Sequence, residues 1–353
     1  MKRYQRSIWF VLGFLVGLWV ALSTAAVLGP QQILAVYLRY ADRPNTLHTV
    51  AELNDLVFNQ FGGMIQTDSW GQASFVGQAY GYWDLPHNYA YYCPTYCHGD
   101  LMKIDADALI QAHGLDPHSY RTIYYVVNDV GLSGGSAGQG AQISDVNLIY
   151  TTVAHEGFHT FGFSHTGRWY CPGHQVCADY VNLGNEETQQ DIQGPSSWTQ
   201  GDWLGPMSGG PHCSTYWKRV LGWLPPSATV TVTSSGTYTL YENMEPNLAA
   251  VHEIVIPFPD NQYFYTIEWR SGIGVIVRFR RWPFHVPQQL LDTCETFLIA
   301  AHPVTTWPIV DTTTWPMQVG DTINDPWRGI HISVAAIGAT TATINITLTP
   351  TCQ

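Results

Sequence analysis

Residues 155–165, HEGFHTFGFSH, set three histidines and a glutamate at spacings with a chemical meaning. Side chains four apart share one face of a helix, so His155 and His159 can reach a single ion, with Glu156 beside them. A third ligand further along the same straight helix would point elsewhere. Gly162 is free to take positive φ, which ends the helix and turns the chain so that His165 can return to the same point. Three neutral imidazoles with a fourth position left open is the arrangement of catalytic zinc, because structural zinc sites fill all four positions with protein atoms. Such an ion lowers the pKa of a bound water from about 15.7 toward about 7 and polarises a carbonyl. Glu156 is not expected to ligate while its neighbours do, and it is placed to carry the proton from water to a leaving amine.

A helix must carry the first two ligands. The run from Val146 to Phe161 contains no proline, and Ser144 or Asp145 can cap its start. Other elements read upstream are a buried strand over residues 31–42, a helix over 49–61 with Leu53, Leu56, Val57 and Phe61 on one face, a helix over 101–114 stopped by Gly114, and a strand over 122–128. GLSGGSAGQGAQ, 131–142, lacks the Gly-Lys-Ser/Thr ending of a phosphate loop and reads as a flexible connection. From Pro225 the pattern changes to period two. Val230 and Val232, then Tyr263, Tyr265, Ile267 and Trp269, then Ala342, Ile344, Ile346 and Leu348 alternate along their runs, as a β-sandwich requires. The sequon Asn345-Ile-Thr347 reads as ordinary strand chemistry.

Length and composition bound the function. A chain of 353 residues exceeds what one core usually serves, so two domains are expected. Charged residues make up 12%, against 14 Trp, 20 Tyr and 13 Phe, which favours packed β-rich structure over disorder. With 15 Lys and Arg and a formal charge of -12, nucleic acid is not an expected partner. MKRYQR followed by an uncharged run to Pro30 reads as a signal peptide over residues 1–30, with an apolar stretch from Ile8 to Val20 and small residues at Ser23, Ala25 and Ala26. If uncleaved, Ile8 to Leu28 would serve as a membrane anchor. Either way the expected location is outside the cell. The seven cysteines then read mostly as disulfides. Cys93 with Cys97, Cys171 with Cys177, and Cys294 with Cys352 are possible pairs, the odd number leaves one thiol unexplained, and a zinc knuckle at Cys93, Cys97 and His98 is a weaker reading. His48, His87, His113, His252 and His302 lack partners at ligand spacing and read as structural or surface residues.

His155-Glu156-x-x-His159-x-x-Gly162-x-x-His165 resembles the signature of the metzincin zinc peptidases. The resemblance implies an α+β fold: a catalytic domain over 31–226, built from a twisted mixed sheet and an active-site helix, then an all-β sandwich over 227–353. It further implies a methionine turn beneath the metal, for which Met207 in GDWLGPMSGG is the candidate. Gly201-Asp202, TYWKRVLGWL (215–224) and the YTIEWR strand are similar to the gametolysin-like branch. Gln200, Gly205 and Ser208 depart from that branch, which tends to have Tyr, Asp and Gly there, and its first ligand is often Gln where this chain has His155. The implied activity is a secreted zinc endopeptidase acting on proteins or peptides. Two alternatives remain open. One is a thermolysin-like site with Glu187 as third ligand, and the other is a catalytically inactive zinc-containing adhesin or glycan-binding protein. Tyr180 and Tyr216 are candidates to stabilise an oxyanion.

Overall fold

The computed structural model describes residues 26–128, 135–137, 140–163, 165–169, 175–176, 202–259, 263–281, 296–299, 301–302 and 315–350. The expected signal segment up to residue 25 lies outside them, as do Cys171, Cys177, Cys294, Cys352, Tyr180 and Glu187. Among the described residues no helix is long and apolar enough to cross a membrane.

The fold is α+β, with several sheets and few helices. β1 (Gly29–Arg39) is an interior strand of a five-stranded mixed sheet ordered β2 (Ala73–Asp84), β1, β3 (Thr122–Val127), β5 (Gly140–Ser144), β4 (Gly135–Ala137). A helical stretch follows as α1 (Val50–Asn54), a π-helical segment Asp55–Phe61 and α2 (Gly62–Asp68), so the helix expected over 49–61 runs on to Asp68. Thr49 and Glu52 start it with a reciprocal capping box, which satisfies two backbone donors that would otherwise lack partners. β2 (Ala73–Asp84) pairs parallel with β1. After α3 (Tyr89–Tyr92) and α4 (Gly99–Ala112), β3 (Thr122–Val127) pairs parallel with the other side of β1.

The glycine-rich run is a correction. Within 131–142, β4 (Gly135–Ala137) and the start of β5 (Gly140–Ser144) are strands, with β5 parallel to β3 and β4 antiparallel to β5. Small residues conceal the pattern, because Gly140 and Ala141 fill a buried strand without the branched side chains that announce one.

β1 is buried on both faces, as a central parallel strand must be. Ile33, Ala35 and Tyr37 join Phe61, Val153 and Phe158 in one cluster, while Leu34, Val36 and Leu38 join Met102, Ala106 and Ile110 of α4 in another. The first of these clusters is the floor of the candidate site.

The helix expected from Val146 is shorter. A 3₁₀ turn covers Asp145–Asn147, and α5 (Tyr150–Thr160) begins after it with no side-chain cap. Asp145 does not cap because its carboxylate is already engaged, accepting from the Leu47 N–H at 3.0 Å and the Tyr37 hydroxyl at 3.2 Å.

The remaining strands build two sheets. The six-stranded one has the order β6 (Thr166–Trp169), β12 (Thr296–Ile299), β11 (Gly274–Arg281), β10 (Tyr263–Arg270), β9 (Glu253–Pro257), β7 (Thr229–Thr231), with β6 drawn from just after the motif and paired parallel to β12. α6 (Thr215–Val220) precedes β7 (Thr229–Thr231) and β8 (Gly236–Tyr241). Next come β9 (Glu253–Pro257), β10 (Tyr263–Arg270), β11 (Gly274–Arg281) and β12 (Thr296–Ile299). The four-stranded sheet joins β8 to β13 (Thr322–Asp325), β14 (Ile330–Ile337) and β15 (Thr341–Leu348). One apolar cluster fills the space between the two sheets, with Ile267, Trp269 and Val277 from one and Ile332, Ile344 and Ile346 from the other. In the four-stranded sheet Asn345 accepts from the Thr237 hydroxyl at 2.8 Å across the strands.

β10 and β11 are buried on both faces. Tyr265, Ile267 and Trp269 face the sandwich core, and the alternate residues Thr266, Glu268 and Arg270 are also buried. The alternation along YFYTIEWR therefore separates an apolar interior from a polar one.

Candidate metal centre

α5 packs its inner side on the five-stranded sheet with Val153, Ala154, Glu156, Gly157 and Phe158 buried. Gly157 sits where a side chain would collide with the Tyr124 hydroxyl and the Phe61 ring, so its lack of a Cβ permits the close approach of helix to sheet. The end of α5 is a Schellman motif. Gly162 at φ +92 donates to the His159 carbonyl at 2.9 Å, and Phe163 donates to the Phe158 carbonyl at 3.1 Å. The apolar contact that accompanies such motifs is present, with the Phe163 and Phe158 rings 6.0 Å apart and Trp217 of α6 stacked on Phe163 at 4.2 Å.

That turn returns His165 to the helix. One ligand atom from each of His155, His159 and His165 lies within 4.8 Å of the others, and the His159 Nε2 is 3.1 Å from the Nε2 of both His155 and His165. Two of the rings are oriented by backbone. The Nδ1 of His155 is 2.8 Å from the Met207 carbonyl, and the Nδ1 of His159 is 2.7 Å from the Phe163 carbonyl. A carbonyl only accepts, so each Nδ1 carries the proton and each Nε2 is left with a lone pair. Burial and the two neighbouring rings hold His159 down to about 3, and burial also lowers His155, so both rings are neutral near pH 7. Lone pairs 3.1 Å apart repel unless a cation lies between them. The residues therefore fit a metal ion, and imidazole nitrogen suits zinc and its first-row neighbours rather than calcium or magnesium.

No family model matches the sequence, and no curated protein matches it. Among solved structures, wild-type OgpA from Akkermansia muciniphila superposes with a TM-score of 0.35 at 12% identity, over 71% of this chain and 72% of that one. At that level no residue role is carried across.

Glu156 lies outside the three-histidine cluster and is 6% exposed. It is close enough to Tyr124 that its charge, after burial, helps raise that phenol well above its ordinary value. Met207 is fully buried in a 3₁₀ turn, Pro206–Ser208, and belongs to the same apolar cluster as Phe158 and Phe163. Tyr216 is buried, with the Arg280 guanidinium 3.6 Å from its ring centre.

The other single histidines have local partners. His252 is buried with its ring nitrogens 3.0 and 2.9 Å from the Glu242 and Asn247 carbonyls, and His113 stacks on Trp83. Cys93 and Cys97 form a disulfide, which removes both from a zinc knuckle with His98, and Cys213 is a buried free thiol. The Phe163 and Met207 carbonyls had no signal in the sequence, because any residue supplies a carbonyl.

Proposed function

We propose that this chain is a secreted zinc-dependent endopeptidase of the metzincin kind, with His155, His159 and His165 as metal ligands and Glu156 as the group that moves the proton. The convergence of three Nε2 atoms, two of them left without protons by the carbonyls of Met207 and Phe163, carries this reading. When bound, zinc supplies a Lewis acid that polarises the scissile carbonyl and acidifies water.

The chain's own residues do the rest. The two backbone carbonyls hold two of the imidazoles in one tautomer, so that no proton has to leave Nε2 before a metal is bound. The Glu156 carboxylate takes a proton from the attacking water and delivers it to the nitrogen of the leaving amine. The substrates fitting this chemistry are proteins or peptides, met outside the cell, and the Cys93–Cys97 disulfide supports an oxidising compartment.

The test is metal content combined with turnover of an unstructured protein such as casein. The reading expects about one zinc per chain, loss of turnover on chelation and recovery on adding zinc. Stoichiometric zinc without cleavage of any member of a broad peptide library would leave the adhesin reading in its place.

A further inference from the structure

The turn that carries Met207 is fastened to the six-stranded sheet by a buried ionic network. Asp202, 2% exposed, accepts from Arg278 of β11 at both oxygens, from Nε at 2.6 Å and from the second terminal nitrogen at 3.3 Å. The same Asp202 receives the Leu204 N–H at 3.2 Å on its side chain and the Gly205 N–H at 3.0 Å on its carbonyl, which folds the start of the turn. Arg270 of β10 donates to the Leu204 carbonyl at 2.6 Å. Glu268 lies between the two arginines, 2.6 Å from Arg278 and 2.9 Å from Arg270, and neutralises part of their charge. The Leu204 side chain completes the attachment by packing on Ile276, Leu298 and Trp315. Three residues beyond Leu204, the Met207 carbonyl meets His155.

We propose that Arg278 and Arg270 are positioning residues for the metal site: through Asp202 and the Leu204 carbonyl they fix the turn whose Met207 carbonyl orients the His155 ring. The sandwich is then part of the machinery that shapes the site. This rests on the metal-centre reading for its consequence, though not for its geometry. Arginine suits the task because its planar fork spans both oxygens of Asp202 while a third nitrogen reaches Glu268, which an ammonium group at one point cannot do.

The test uses the full chain and two substitutions in the network, Asp202→Asn and Arg270→Met. Arg328→Gln is the control, since it breaks a comparably buried pair, Arg328 with Asp325 at 2.9 Å, that touches no part of the turn. One readout is zinc affinity, by competition with a chromophoric chelator. The other is the Nδ1–H proton resonance of His155 in the metal-free protein. Each network variant should weaken zinc binding about 10-fold or more and broaden or shift that resonance, while Arg328→Gln lowers the melting temperature and leaves both unchanged. Should Asp202→Asn not fold, Arg270→Met decides alone, because it spares the Arg278–Asp202 pair. Wild-type zinc affinity and an unmoved resonance in folded network variants would overturn the proposal. If the wild type binds no zinc, the peptidase reading fails, and the resonance still decides whether the network orients His155.

Discussion

His155 and Met207 are 52 residues apart in the chain and joined by one hydrogen bond, imidazole Nδ1 to backbone carbonyl at 2.8 Å. Methionine contributes to that contact through an atom every residue has. Its side chain does something separate, lying fully buried in the apolar cluster that also holds Phe158 and Phe163.

Met207→Leu should therefore keep zinc affinity within a few-fold of wild type. The two side chains have similar volume, and such exchanges cost under about 1.5 kcal/mol. Metal titration and thermal melting of the same sample check both parts. A large loss of zinc with little loss of stability would give the thioether a role beyond packing.

Glu156→Gln keeps the shape of the side chain and removes its capacity to accept a proton. Zinc content and melting temperature should stay near wild type, whereas peptide hydrolysis should fall by roughly 100- to 10,000-fold. Unchanged hydrolysis in a zinc-loaded sample would remove Glu156 from the chemistry.

The third ligand is tested by a pair of substitutions. His165→Ala takes one of three converging nitrogens away and should weaken zinc binding by well over the about 10-fold that loss of a supporting residue costs. Glu187→Ala should leave it unchanged. The opposite pattern would transfer the chain to the thermolysin-like arrangement.

The motif was legible because its information is local. The i, i+4 spacing and a glycine at the helix end predict both the shared face and the return of His165, and the observed Gly162 at φ +92 has the conformation that only glycine takes without strain. What surrounds the motif depends on distant partners. Arg278 and Asp202 lie 76 residues apart, and Thr266, Glu268 and Arg270 occupy the alternate positions of a strand, where polar residues ordinarily face water. Asp145 reads locally as a cap, yet it accepts from Tyr37 and Leu47, which lie 108 and 98 residues earlier in the chain. The candidate ligands follow from local spacing, while the fastening of the six-stranded sheet to the Met207 turn is a tertiary property.

Gly157 offers a test of how tightly the helix is seated. Gly157→Ala should destabilise the protein by about 1–3 kcal/mol, because the new methyl meets the Tyr124 hydroxyl and the Phe61 ring in a packed interior. Tyr124→Phe removes one of the two obstacles, so the double variant should be more stable than the sum of the single effects allows. Urea midpoints for the four members of the cycle measure this, and strict additivity would mean that the helix shifts away from Tyr124.

The final prediction concerns acid. Glu268 is fully buried, and burial alone would raise its pKa, but the guanidinium groups of Arg270 and Arg278 and the Thr215 N–H hold it down to about 2. In the unfolded chain it returns to its ordinary value near 4.5. Between these two values the unfolded state binds the extra proton, so stability rises with pH across that window. The contribution is complete above about pH 5 and is lost as pH falls through 4.5 toward 2. Urea midpoints of the metal-free protein should fall steeply over this range; His159, neutral in the folded protein down to about 3 but protonated below its ordinary 6.5 in the unfolded chain, adds slope of the same sign, equally in wild type and in a Glu268 variant. Glu268→Gln lowers stability above about pH 5, since it leaves two buried arginines short of a counter-charge, and the difference from wild type closes as pH falls toward 2. Its diagnostic effect is on the slope: the dependence of the midpoint on pH between about 5 and 2 should flatten relative to wild type. An equal slope in the two proteins would mean that Glu268 does not carry the ionised charge that holds Arg278 and Arg270 against the turn.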